Sequence, residues 1–289
     1  MYNSLKKMVQ EAQNAGLTLW EIIMENEVKH SEKTKEEIRA ELKLRMEVMR
    51  KSTETAIDTP EKMSKTFISG MAKTQEEYRK KGDTLCGNLV NKVMAKALSA
   101  SEVNAAMGKI CAMPTAGSCG IVPAVLFAVA EEVEASHVEL ENSFLIASGL
   151  GAVVVANATV SGAEGGCQAE CGVAAAMAAA GAAYLKGGNN EQCLEAFAIS
   201  IINIMGLICD PVAGLVQIPC AQRNASQGVN ALSSADLALG GMKCGIEADD
   251  VIEAMYKVGK LMPVQHRETS LGGIAVTKSG KSYKIEDQG

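Results

Sequence analysis

Aromatic side chains are almost missing from this 289-residue chain: one Trp, five Tyr and four Phe, 3% of the total. A sheet core filled by aromatic cross-strand pairs is therefore disfavoured. Basic excess is missing too. Lys and Arg number 28 against 34 Asp and Glu, a formal net charge of −6, whereas a nucleic-acid footprint is basic. No two cysteines form a C-x-x-C pair, which removes the common zinc-ribbon and thioredoxin motifs. No signal-peptide pattern opens the chain, so the expectation is a cytoplasmic protein with reduced thiols. What stands in place of aromatics is small and soft: 27 Gly, 15 Met and 9 Cys. Small residues let helix backbones approach closely, so the expected fold class is all-α, with small-residue helices packed around a buried centre.

Charge is spread unevenly. Residues 1–100 hold 33 of the 62 charged side chains, and residues 142–209 hold only Glu164, Glu170, Lys186, Glu191 and Glu195. The expected organisation is a set of charged N-terminal helices over residues 1–60, packing on a continuous domain over 61–289. Thr18–Glu21 and Thr34–Glu37 have capping-box spacing. Ile38, Leu42, Met46 and Met49 then recur at helical steps until Pro60. Further helices are expected at about 61–80, 86–99, 172–185, 191–207, 223–239 and 249–260, the last capped by Asp249. Residues 142–163 lack any charge over 22 positions. Their Asn, Ser, Thr and Gly content argues for a buried core helix rather than a membrane span, although Val153–Val155 also fits a buried strand.

Three uncharged or sparsely charged segments carry Gly and Pro punctuation. Met113-Pro-Thr-Ala-Gly-Ser-Cys-Gly120 leads into an apolar helix. Backbone N–H groups at that start, with the Thr115 and Ser118 hydroxyls and Ala116 and Gly117 between them, suit a carboxylate or phosphate; a simple capped loop is the alternative. Ser161-Gly-Ala-Glu-Gly-Gly-Cys-Gln-Ala-Glu-Cys171 places two acids, Gln168 and two cysteines in an apolar centre, where buried acids need partners. Cys209-Asp-Pro-Val-Ala-Gly-Leu-Val-Gln-Ile-Pro-Cys220 is followed by Gln-Arg-Asn. Nine cysteines are either mostly reduced core thiols or include ligands drawn from distant loops. One thiolate from the second segment and two from the third would leave a metal an open coordination position.

Cys167, Cys209 forty-two residues later and Cys220 eleven further on, within Glu-Gly-Gly-Cys-Gln-Ala-Glu and Cys-Asp-Pro-Val-Ala-Gly-Leu-Val-Gln-Ile-Pro-Cys, resemble the α subunit of bacterial iron–sulfur-dependent L-serine dehydratases. Met-Pro-Thr-Ala-Gly-Ser and Glu268-Thr-Ser-Leu-Gly-Gly273 extend that resemblance from about Gly70 to Thr277. It implies a 4Fe–4S cluster on Cys167, Cys209 and Cys220, one iron without a protein thiolate, a mostly helical cluster domain, and conversion of L-serine to pyruvate and ammonia. The loop Thr115–Gly120 is the candidate for the substrate carboxylate, with Gln168 beside it. Asn224, Glu164 and His266 are the candidate catalytic groups. Arg223 suits either a carboxylate or a structural salt bridge.

Single-chain members of that family carry a Ser-Ser-Ser-His-Thr segment that is missing here. The resemblance therefore implies a β subunit that supplies its histidine, in a hetero-oligomer without nucleic acid or membrane. Some single-chain members also end in a cysteine, whereas this sequence ends Glu286-Asp-Gln-Gly289. His30 and His137 read as surface residues. Cys119 and Cys171 lie close to the motif segments and either line the site or are ordinary thiols, and Cys86, Cys111, Cys193 and Cys244 read as ordinary thiols. Other readings are a pyridoxal-phosphate dehydratase, which leaves the three cysteines idle, an iron–sulfur redox sensor or regulator, and an iron–sulfur hydro-lyase for another hydroxy acid.

Overall fold

Alanine makes the centre of the molecule. In the computed structural model, which describes residues 2–283, the helix α9 (Val173–Leu185) is buried at every position from Val173 to Ala183. Alanine loses no side-chain entropy in a helix, and its methyl lets neighbours close in. At Gly181 even a methyl is too much, since a Cβ there would lie 2.7 Å from Leu126 Cδ2 and 3.0 Å from the Ser143 carbonyl oxygen. Four helices surround α9: α6 (Ile121–Glu132), α7 (His137–Asn157), α10 (Asn190–Ile202) and α11 (Cys220–Leu239). Ala179→Leu on the fully buried face of α9 is expected to cost about 1–3 kcal/mol by overpacking, read as a lower urea midpoint.

The remaining helices are α1 (Leu5–Ala15), α2 (Leu19–Ser31), α3 (Lys35–Asp58), α4 (Met71–Lys80), α5 (Gly87–Ala105), the short α8 (Gly162–Gly165) and α12 (Ala248–Leu261). No strand occurs among the described residues; Cys209 and Arg267 form one isolated parallel bridge. The fold is all-α, as the composition implied. The expectation drawn from Glu286–Gly289 falls outside the described residues.

Local signals explain most of the boundaries. Both N-terminal capping boxes form, and α3 buries Ile38, Leu42, Met46 and Met49. The Arg39 guanidinium on α3 reaches α7, donating to Glu141 Oε2 at 2.8 Å and to Asn142 Oδ1 at 3.0 Å. α7 is long and apolar enough to cross a membrane by composition. It is instead a core helix, buried from Leu140 to Ala147, with Val153–Val155 helical rather than extended.

Other boundaries differ from expectation. The stretch 61–80 is not one helix: a 3-10 turn at Pro60–Met63 gives way to irregular chain, and α4 starts only after Gly70 at φ +84°. The buried Glu102 carboxylate takes over the capping of α4, accepting from the N–H groups of Gly70 and Ala72 at 2.8 and 2.7 Å. α10 stops at Ile202 rather than 207, before Gly206 at φ +93°. Asp249 lies inside α12, whose N-cap is Glu247. Its carboxylate caps α1 instead, accepting from Ser4 Oγ and from the N–H groups of Leu5 and Lys6. The start of α11 moves from 223 back to Cys220, which puts a candidate ligand in the first turn of a helix.

Candidate active site

The starts of α6, α9 and α11 meet at one end of the bundle. Between α8 and α9 the chain runs through Cys167 and a single π turn, Gln168–Gly172. Such one-turn expansions recur at functional sites because they re-aim side chains. Cys167 precedes this turn and Cys171 lies within it; both are buried, as is Cys209, and Cys220 is half-buried.

The thiols sense one another. The Cys171 thiol donates to the Cys167 sulfur and so holds Cys167 below the ordinary thiol range, against burial, with Arg223 also favouring the thiolate. Cys171 itself is pushed well up by that same bond and by burial. Burial raises Cys220 to about 12, reinforced by negative charge on Cys167, Glu170 and Glu268. Cys209 is pushed up by the same causes. Cys193, on α10, is also raised to about 12, but by burial alone, with no contribution from another thiol.

Cys209 is fastened to the Gln265–Gly273 segment. Its N–H donates to the His266 carbonyl and its carbonyl accepts from the Glu268 N–H, both at 2.9 Å. The next residue, Asp210, is buried: Oδ2 accepts from the Ile274 N–H at 2.7 Å, and Oδ1 lies 2.7 Å from Arg223 Nη2. Arg223 also donates to the Ile208 carbonyl at 2.9 Å. It is therefore a structural cation that braces the Cys209 turn. Gly273, at φ +58°, is required twice over, because a Cβ there would run into the Asp210 carboxylate and because L side chains avoid that conformation.

Asn224 sits one turn into α11 and is fully buried. Its Oδ1 accepts from the Gly120 N–H at 3.0 Å, and its Nδ2 donates to the carbonyls of Gly117 at 2.7 Å and Cys220 at 2.9 Å. Both amide hydrogens are thus committed to backbone, and Asn224 clamps the Met113–Gly120 loop to the Cys220 turn. Asn224→Ala leaves the buried Gly120 N–H and the half-buried Gly117 and Cys220 carbonyls without this partner. The expected cost is about 2–4 kcal/mol in chemical denaturation, given ~1–3 kcal/mol per buried group left unmet.

The other expected residues lie at different depths around the three cysteines. Gln168 is fully buried but ties the π turn to its neighbours, donating to the Met255 carbonyl and accepting from the Gly206 N–H. Glu164 is exposed on α8. His266 is half-buried in a 3-10 turn, with its Nδ1 buried and without a hydrogen-bond partner among the described residues. His30 and His137 are exposed. Cys119 is buried beneath the loop.

Thr115 and Ser118 face inward rather than outward. The Thr115 hydroxyl donates to Glu170 Oε1 at 2.7 Å, so the 3.0 Å contact between the two hydroxyls has Ser118 as donor. Ala116 is exposed and Gly117 half-buried, and their N–H groups find no partner among the described residues. Glu170 is the acid that the sequence reading passed over in favour of Glu164. The signal was its place three residues after Cys167; what hid its direction was the π turn.

Among the described residues no three His, Cys, Asp or Glu side chains stand close enough together to grip a single metal ion. A polynuclear cluster asks for something else, thiols set around a larger body. Cys167, Cys209 and Cys220 fit by their chemistry: soft, mutually coupled donors in a largely buried site, with Cys167 drawn toward the thiolate and Cys209 and Cys220 pushed up until a cation replaces their protons.

The family described as "Serine dehydratase alpha chain" matches residues 14–275. The chain is 45% identical over 284 residues to "L-serine dehydratase, alpha chain" of Peptoniphilus asaccharolyticus, covering 98% of this chain and 97% of that one. It is 41% identical to "Probable L-serine dehydratase, alpha chain" of Bacillus subtilis (strain 168), covering 98% and 94%. It is 39% identical to "L-serine dehydratase 2" of Escherichia coli (strain K12), covering 95% of this chain but 61% of that protein. This chain belongs to the serine dehydratase alpha chain family.

Proposed function

We propose that the chain is the α subunit of an L-serine dehydratase that eliminates water from L-serine and yields pyruvate and ammonia. The observation that carries the reading is the meeting of Cys167, Cys209 and Cys220 beside a loop whose Ala116 and Gly117 N–H groups find no partner among the described residues, in a chain of this family. Cys167, Cys209 and Cys220 would hold a 4Fe–4S cluster. When bound, that cluster supplies an iron without a protein thiolate, a Lewis acid for departure of a hydroxide that is otherwise a poor leaving group.

The chain's own residues bind and orient. The N–H groups of Ala116 and Gly117, ahead of α6, take the substrate carboxylate. Asn224 fixes this loop relative to Cys220, so carboxylate and hydroxyl ends of one small molecule are held in a set relation. Loss of the Cα proton and of hydroxide gives 2-aminoacrylate and water; tautomerisation to the imine and hydrolysis then give pyruvate and ammonia. Among the described residues His266 offers a ring packed against Gly272, not an open base. We assign the Cα proton acceptor to a histidine of a partner β subunit carrying a Ser-His-Thr segment. That the match covers only 61% of the E. coli relative supports such a partner, and the nine unpaired cysteines suit the reducing cytoplasm.

The test is direct. The chain, reconstituted anaerobically with iron and sulfide and combined with its partner subunit, should form pyruvate and ammonia in equal amounts from L-serine. A cluster-loaded pair that makes no pyruvate from L-serine would sink the reading. Turnover of a different hydroxy acid in its place would point to another hydro-lyase.

A further inference from the structure

Two asparagines on separate helices hold consecutive carbonyls of the Met113–Gly120 loop. Asn224, on α11, donates to the Gly117 carbonyl at 2.7 Å. Asn104, in the last turn of α5, donates through Nδ2 to the Ala116 carbonyl at 3.2 Å. A carbonyl only accepts, so the amide nitrogen of Asn104 is the atom that faces it. The Ala116 carbonyl also accepts from the Cys119 N–H at 3.3 Å. That bond closes within the loop and moves with it, whereas the Asn104 bond ties the loop to the helical bundle.

The end of α5 is a firm platform for such a tie. The Met107 N–H donates to the Asn104 carbonyl at 3.0 Å, and the Gly108 N–H donates to the Val103 carbonyl at 2.8 Å. Met107 between them is left-handed, at φ +58°. These two bonds around a left-handed residue are the Schellman closure, which satisfies the last carbonyls of a helix. One residue before Val103, the buried Glu102 is bonded to the start of α4. Asn104 is thus carried on backbone fixed from both directions.

A trans peptide unit is planar, and its N–H points opposite to its C=O. The Ala116–Gly117 unit is trans. Holding the Ala116 carbonyl toward α5 therefore turns the Gly117 N–H away from α5, and that N–H has no partner among the described residues.

We propose that Asn104 is a positioning residue for the substrate carboxylate: by holding the Ala116 carbonyl it fixes the direction of the Gly117 N–H. This rests on the dehydratase reading above, in which the Ala116 and Gly117 N–H groups take that carboxylate, and adds a residue behind them. Without the Asn104 amide, the Ala116–Gly117 unit keeps only the bond inside its own turn, and binding has to order it each time. The carboxylate is bound alike in the ground state and the transition state, so the loss falls on KM rather than on kcat.

In the assembled, cluster-loaded enzyme, Asn104→Ala is expected to raise KM for L-serine about 3- to 10-fold, the worth of one uncharged hydrogen bond, with kcat changed far less. Asn104→Asp keeps the shape and puts an acceptor where the donor stood, so it should raise KM at least as far. A role confined to packing would leave Asn104→Asp with the parent KM, and that result overturns the proposal. So does an unchanged KM in Asn104→Ala, or a loss confined to kcat. Asn104 is half-buried, and helicity and visible absorbance per subunit should match the parent in both variants. Should Asn104→Ala fail to assemble, Asn104→Asp, with its volume unchanged, decides alone. A parent pair that forms no pyruvate from L-serine defeats the dehydratase reading and this assignment with it. A working parent beside variants that match it defeats this assignment only.

Discussion

Cys209→Ser is expected to abolish the broad visible absorbance of the anaerobically reconstituted chain, and Cys167→Ser and Cys220→Ser are expected to do the same. The swap is nearly isosteric, so the fold has little reason to respond: Cys209 keeps its two backbone bonds to the His266–Glu268 strand-like contact whatever its side chain. What is lost is a soft, ionisable donor, and a serine hydroxyl does not replace a thiolate at iron. Helicity by circular dichroism should therefore match the parent while the colour is gone. Two controls give the assignment its edge. Cys193 is more buried than any of the three, at 1% exposure, yet it lies on α10 among apolar neighbours; Cys193→Ser should keep the absorbance. Cys171 is the harder comparison, since its thiol touches Cys167 and senses Cys220. Cys171→Ala should keep the cluster. Loss of absorbance in Cys171→Ala together with retention in Cys220→Ser would replace Cys220 by Cys171 in the ligand set.

The sequence made some of this legible and hid the rest for physical reasons. Alanine-rich α9 and the two N-terminal capping boxes are local: propensity and a three-residue side-chain bond decide them within one turn. The meeting of residue 167 with 209 and 220 is not local, and was legible only through spacing and resemblance. Asp249 shows how a correct local signal goes astray, because its cap is made to a helix more than two hundred residues away. The same applies to Thr115 and Ser118. Their hydroxyls have the pattern of ligand-facing groups, but the half-buried Glu170 accepts from Thr115 and Thr115 accepts from Ser118, and no pattern within Met113–Gly120 announces Glu170. The π turn adds one residue to the helical count after Cys167, which defeats any prediction of facing made at 3.6 residues per turn. Arg223 was undecided in sequence for an equally plain reason: its partner Asp210 lies in the loop, and only the fold brings them together.

That ion pair carries the largest stability effect expected outside the core. Asp210 is 1% exposed and has two anchors, the Ile274 N–H and the Arg223 guanidinium. Arg223→Ala removes the cation and also leaves the Ile208 carbonyl without its donor. A buried charge deprived of its partner typically costs about 3–5 kcal/mol, and that loss should appear in the urea midpoint of the cluster-free chain. The double variant Asp210→Asn, Arg223→Met is the informative comparison. Asparagine keeps an acceptor for Ile274 and removes the charge, while methionine restores much of the lost volume, so the double variant should be more stable than Arg223→Ala alone. A double variant as unstable as the single would mean that Arg223 acts through packing and the Ile208 carbonyl, not through Asp210. The same cycle bears on the site. Asp210 follows Cys209 directly and holds the Gly273–Ile274 backbone against it, so Arg223→Ala should also weaken cluster retention, measured as faster loss of visible absorbance under a chelator. The double variant should recover part of that retention, because the turn beneath Cys209 no longer encloses an unpaired charge.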